Sequence, residues 1–82
     1  MHVVYALYNE HCNKIYIGQT SNIQKRLADH NQKLGNHFTA KCQGRWELIY
    51  QESVATRSEA LAREKQLKSY RGREFIKSYI PG

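Results

Sequence analysis

Two short apolar-rich runs, VVYALY at residues 3–8 and KIYIGQ at residues 14–19, lie five residues apart. The second alternates polar and apolar side chains, as a half-buried strand does. Two strands joined by so short a connection must pair antiparallel, because a parallel pair needs a crossover of a dozen or more residues. NEHCN, residues 9–13, therefore reads as a hairpin loop. The spacing predicts Tyr5 on the first strand directly opposite Tyr16 on the second, on one face of the sheet. Gly18 stands near the end of the second strand, where a missing side chain signals a bulge or the close approach of another backbone or a ligand.

The rest of the chain supplies what must cover such a sheet. Thr20, Ser21 and Asn22 offer helix N-caps. Ile23, Leu27 and Leu34 then form an apolar stripe at helical spacing, and Gly35 suits the end of a helix over residues 22–34. An irregular connection, residues 36–44, leads to a third strand, RWELIYQES at 45–53. Thr56 and Glu59 form a capping-box pattern that opens a second helix over residues 56–69. A short third helix follows Gly72. The order β-β-α-β-α-α predicts an α+β domain, a three-stranded antiparallel sheet flanked by helices. A chain of 82 residues is expected to form a single domain, residues 1–82, and to bury roughly 60–65% of its unfolded surface.

Charge narrows the partners. Thirteen Lys and Arg against seven Asp and Glu leave a net charge of +6. That balance points to a polyanion, nucleic acid first and an acidic membrane surface second, with plain solubility as the alternative. No apolar run approaches the ~20 residues of a membrane span. Met1 leads straight into a strand-like segment, so no signal peptide is expected. Two cysteines are too few for a disulfide scaffold, and a reduced, cytoplasmic setting is expected. His11, Cys12, His37 and Cys42 match no common zinc-finger spacing. Trp46, Tyr50 and Phe75 read as core residues rather than base-stacking platforms.

Polar groups on apolar faces are the features that point to chemistry. On the second helix Ala60, Leu61 and Leu67 define the buried face, and Glu64 falls between them. A buried carboxylate is costly unless paired. Glu64 therefore has a partner such as Arg26, lines a cleft, or carries a raised pKa. On the first helix Arg26 and His30 are four residues apart and share a face. His30 falls between Ile23 and Leu27, where, taken alone, a core histidine bonded to backbone is the favoured reading. Inward polar groups on separate elements converge more often on a site than singly.

VVY, ten residues, YIG, then Arg26, His30 and a helical Glu64 together resemble the GIY-YIG nuclease family. The likeness spans nearly the whole chain. AREKQLK at residues 62–68 and GREF at 72–75 resemble its small bacterial branch, itself similar to the nuclease domain of the excision-repair incision subunit. Val3 stands where the motif name has its first Gly, Gln19 where the repair branch often has Lys, and Ile76 near the place of a frequent late Asn. The resemblance implies a metal-dependent endonuclease with Tyr5, Tyr16, Arg26, His30 and Glu64 as catalytic residues. It implies one Mg²⁺ or Mn²⁺ held by Glu64 and no small-molecule cofactor. DNA, branched or damaged forms included, is the implied partner. Gly18, Gln19, Lys25, Lys68, Arg71 and Arg73 are the expected substrate contacts. Tyr5 is the expected proton acceptor, its pKa brought down by cationic neighbours and the metal. The alternative is a nucleic-acid-binding or repair-complex interaction module of the same fold with little or no catalysis.

Overall fold

The computed structural model describes residues 1–31 and 44–81, the side chains of residues 29–31 excepted. Its elements run β1 (His2–Asn9), β2 (Lys14–Thr20), α1 (Ile23–Asn31), β3 (Glu47–Val54), α2 (Arg57–Leu67) and α3 (Tyr70–Lys77). The three strands form one antiparallel sheet in the order β2-β1-β3. This is the α+β architecture expected from the sequence.

The central strand explains why the sheet needs cover on both sides. Val4, Tyr5, Ala6 and Leu7 are all fully buried. Val4 and Ala6 point to one layer, where they meet Ile17, Ala60, Leu67 and Ile76 from β2, α2 and α3. Tyr5 and Leu7 point to the other, against Trp46 with Tyr16, Ile23, Leu27 and Leu48 alongside. Thus α1 covers one face and the α2–α3 pair the other. Along β3 the register slips: Ala6 pairs with Tyr50 but Leu7 with Leu48. The extra residue, Ile49, joins Tyr50 on the α2–α3 face.

Caps fix the helix starts. The Lys25 amide donates to Asn22 Oδ1 at 3.1 Å, and the Asn22 amide to Thr20 Oγ1 at 3.1 Å. The Glu59 amide donates to Thr56 Oγ1 at 3.2 Å. The third helix begins earlier than the sequence suggests. Ser69 is its N-cap and accepts from the Gly72 amide at 3.2 Å, so Gly72 lies inside α3 rather than before it. Glycine is required there by contact. A Cβ on Gly72 would lie 2.3 Å from the Gln66 carbonyl and 2.4 Å from Leu67 Cα, at the corner where α3 folds back on α2.

Leu61 departs from expectation: it is 46% exposed, and the buried stripe of α2 is carried by Ala60 and Leu67. Phe75 is 42% exposed and Tyr50 half-buried, while Trp46 is core as expected. Tyr50, Phe75 and Tyr79 instead form a ring cluster with centroids 5.0–5.5 Å apart at the surface of β3 and α3, Phe75 edge-to-face with both tyrosines and the tyrosines tilted to each other. The end of the first helix beyond residue 31 and most of the 36–44 connection, with Leu34, Gly35, His37 and Cys42, lie outside the described residues. Among the described residues no helix is long and apolar enough to cross a membrane.

Candidate active site

The hairpin sets the geometry of the tyrosine pair. It closes on Asn9 opposite Lys14, which places Gly18 across from Tyr5 and Leu7 across from Tyr16. Tyr5 and Tyr16 are therefore diagonal neighbours on the α1 face, not directly opposite as the spacing predicted. Their ring centroids are 6.2 Å apart with planes at 38°. Gly18 is what lets them meet. A Cβ there would lie 2.9 Å from Tyr5 Oη and 3.0 Å from Tyr16 Cε1. The close approach that the glycine signalled is that of the two phenol rings.

Arg26 enters from α1. Its guanidinium donates to the hydroxyls of both Tyr5 and Tyr16, and those hydroxyls are themselves hydrogen-bonded. The bond to Tyr5 is the main cause that raises the Arg26 pKa further. For Tyr5 the balance runs against the sequence-based expectation. Burial pushes its phenol up, the Arg26 guanidinium pulls it down, and the Tyr16 hydroxyl adds to the rise; burial wins, and the pKa stands at about 12. The lowering by Arg26 is outweighed. At neutral pH Tyr5 is a fully buried, protonated phenol hydrogen-bonded to partly buried partners.

Glu64 belongs to the other layer. Its carboxylate is 21% exposed and accepts from Lys68 Nζ at 3.0 Å, one turn along α2, from a lysine itself 48% exposed. Its described partner is thus Lys68, and not Arg26 as one reading of the sequence had it. A groove of about 730 Å³ beside the edge strand β2 has Tyr16 on one wall and Lys68 on the other.

The remaining expected residues divide. Lys68 and Arg73 line that groove. Gln19 lies in β2 opposite Val4, and Lys25 is exposed on α1. Arg71 lines a smaller recess with Arg63, Gly72 and Phe75. His30 is carried by the backbone of α1, with its side chain outside the described residues. Among the described residues no three or more His, Cys, Asp or Glu gather as a metal cluster. Cys12 is disulfide-bonded, so its sulfur is neither a zinc ligand nor a free thiol, and the reduced state expected for it is corrected.

One polar network escaped the sequence reading. Arg63 Nε donates to Glu52 Oε1 at 2.7 Å, and Tyr50 Oη to the same oxygen at 2.9 Å. Burial raises the Glu52 pKa, but the hydrogen bonds from Arg63 and Tyr50 outweigh it and hold the carboxyl below its usual value. This network pins α2 to β3. Alternation along β3 is the one signal that could have set Tyr50 and Glu52 on a common face; nothing local names Arg63 as their partner.

An antiparallel sheet of this order, with two tyrosines and an arginine sharing hydroxyl contacts over a strand glycine, defines a class of small α+β domain. The family model of the GIY-YIG catalytic domain matches residues 1–78. A UPF0213 protein of Staphylococcus epidermidis is 36% identical over 83 aligned positions, covering 99% of this chain and 96% of that one. Another, from Staphylococcus haemolyticus, is 35% identical over 65 residues, 79% of this chain and 78% of its own. The solution structure of a UPF0213 protein from Bacillus halodurans superposes with a TM-score of 0.56 at 26% identity, covering 99% of this chain and 86% of that one. The chain belongs to the GIY-YIG family.

Proposed function

We propose that this protein is a metal-dependent endonuclease that hydrolyses DNA phosphodiester bonds, with Tyr5, Tyr16, Arg26, His30 and Glu64 as its working residues. The observation that carries the reading is the Arg26 guanidinium held on two tyrosine hydroxyls over Gly18. A guanidinium has five N–H donors. It can hold both hydroxyls and still present a fork to a phosphate, where it stabilises the charge that builds up on the phosphoryl oxygens.

The two tyrosines divide the work by exposure. Tyr16 is half-buried on the edge strand β2, so its hydroxyl is the more accessible of the two to a water and a phosphate. Tyr5 is fully buried with a pKa of about 12. It acts as a positioning residue that fixes Arg26 and Tyr16, rather than as the proton acceptor. His30, one turn beyond Arg26 on α1, orients or relays the water's proton.

Glu64 fits a divalent cation. It offers hard oxygen donors, and its hold on Lys68 is a single ion pair between partly exposed groups that a cation can replace. Mg²⁺ and Mn²⁺ accept one or two carboxylates and complete their shells with water and substrate oxygens. When bound, such an ion would neutralise phosphate charge and stabilise the leaving oxygen. Gly18, Gln19, Lys25, Lys68, Arg71 and Arg73 are the proposed substrate contacts, with branched or damaged DNA among the candidate forms.

Glu64→Gln tests the reading. A neutral amide is a much poorer ligand for Mg²⁺, so metal-dependent cleavage should disappear. DNA binding should persist, because the change removes a negative charge from a basic face. Thermal stability should move by under about 1 kcal/mol, since an exposed i,i+4 pair contributes only ~0.3–0.5 kcal/mol. Equal cutting by wild type and variant in Mn²⁺ would remove Glu64 from the site. The protonated Tyr5 favours a second reading, a nucleic-acid-binding or repair-complex interaction module without cleavage. A wild type that binds DNA yet never cuts it in Mg²⁺ or Mn²⁺ selects that one.

A further inference from the structure

The groove beside β2 gathers more cations than either of the two other recesses described. Among the described residues that line it, Lys14, Lys68, Arg73 and Lys77 are cationic and none is acidic. The recess at the loop end of the hairpin, by contrast, sets Glu10 and Glu47 beside His11 and Arg45. In the recess behind α3, Arg63 is already engaged by Glu52 at 2.7 Å.

The cations of the groove come from opposite walls. Lys14 opens β2 on one side, and Arg73 and Lys77 stand one helical turn apart on α3 on the other. Arg73 is anchored: its Nε donates to the Lys68 carbonyl at 3.2 Å, which fixes the guanidinium at the rim where α2 ends. Lys77 is held only by Glu74, at 3.0 Å between two well-exposed side chains, a pair that a phosphate can displace. The floor is apolar, with Ile15, Ile17 and Ile80 beneath Tyr8. Tyr8 is tied to the hairpin corner by its hydroxyl, which donates to Asn13 Oδ1 at 3.1 Å.

We propose that this groove seats the phosphodiester backbone of the substrate strand next to the reacting phosphate, with Lys14, Lys68, Arg73 and Lys77 as phosphate contacts on its two walls. The strand then passes between β2 and α3, which leaves Arg71, in the recess with Arg63, off this path and drops it from the contacts proposed above. Tyr16 lies on the same edge strand as Lys14, so the path runs along the edge that also carries the outer member of the tyrosine pair. The choice of ligand rests on the nucleic-acid reading above; the path is a separate claim.

The test measures binding without cutting. A labelled 20-nucleotide DNA, single-stranded and as a duplex, is titrated by fluorescence anisotropy with the full chain in EDTA at low salt. Lys14→Gln, Arg73→Gln and Lys77→Gln should each weaken the wild-type Kd about 3–10-fold and lower the salt slope by about one. Arg45→Gln and Arg57→Gln, exposed cations outside the groove, should change it less than about 2-fold. Thermal melts of every variant separate lost contacts from lost fold. The probe that suffers more from the groove variants identifies the strand state that the groove takes. Equal losses for groove and control variants would mean that affinity follows net charge alone, and would overturn the path whether or not the protein cuts. A protein that binds through the groove but never cuts keeps this inference and loses the nuclease reading.

Discussion

At the scale of single residues, the contest at Tyr5 decides how the cluster can work. A phenol in water titrates near 10, and a guanidinium beside it would bring that down. Here the surrounding Leu7, Trp46, Ile23 and Leu27 exclude water, and the result is about 12. The sign of the stability effect follows. The folded-state pKa lies above the unfolded one, so the contribution is fully present below pH 10 and is lost as pH rises through about 12. Its size is on the order of 2–3 kcal/mol for two pKa units. Spectrophotometric titration of phenolate absorbance should therefore show one late-titrating tyrosine that is missing in Tyr5→Phe. Arg26→Ala should push that titration later still, because it removes the lowering influence and leaves burial unopposed. A Tyr5 that ionises at or below 10 in the folded protein would restore it as a proton acceptor at the site.

At the scale of elements, what holds α2 on the sheet is partly apolar and partly the Glu52–Arg63–Tyr50 network. Ala60 and Leu67 supply little apolar area between them, and Leu61 faces solvent. Glu52 has a lowered pKa, so its contribution is present above the unfolded value near 4.5 and is lost as pH falls through the folded one. Glu52→Gln should cost about 1 kcal/mol at pH 7, the upper range for a partly exposed pair, or roughly 4–8 °C in Tm for a chain this size. The difference between wild type and variant should be smaller in melts at a pH well below 4.5 than in melts at pH 7, as Glu52 protonates through its lowered folded value. Melts that differ equally at both pH values would assign the effect to packing rather than charge. The order of elements was legible because strand alternation, caps and helical stripes are local signals. The network was not, because Arg63 meets Glu52 only once α2 has docked. The start of α3 was missed for a related reason. Gly72 looks like a helix boundary in sequence, whereas its place is set by a backbone contact with Gln66 and Leu67. The Tyr5–Tyr16 register was misplaced by one diagonal step because the hairpin closes at Asn9 and Lys14, a detail of the loop that strand patterning does not encode.

At the scale of the whole molecule, the inward arginine, the tyrosine pair and the strand glycine were legible as a set, since each is a polar or missing group on an apolar face. The distribution of the cations was not, because it depends on how α3 folds back over β2. That distribution makes the last prediction quantitative. A net charge of +6 spread evenly would give a weak, diffuse attraction in which all 13 Lys and Arg share. The groove instead gathers four cations along one path. Duplex DNA releases about 0.9 counterions per phosphate neutralised, so four contacts give a slope of log K against log salt between about −3 and −4. Affinity should then fall roughly 10²-fold between 50 and 200 mM salt. Anisotropy titrations over that range in EDTA read the slope directly. A slope near zero would refute phosphate binding altogether. One steeper than about −7 would demand contacts well beyond the groove, with Lys25 on α1 and Arg71 behind α3 the nearest candidates to carry them.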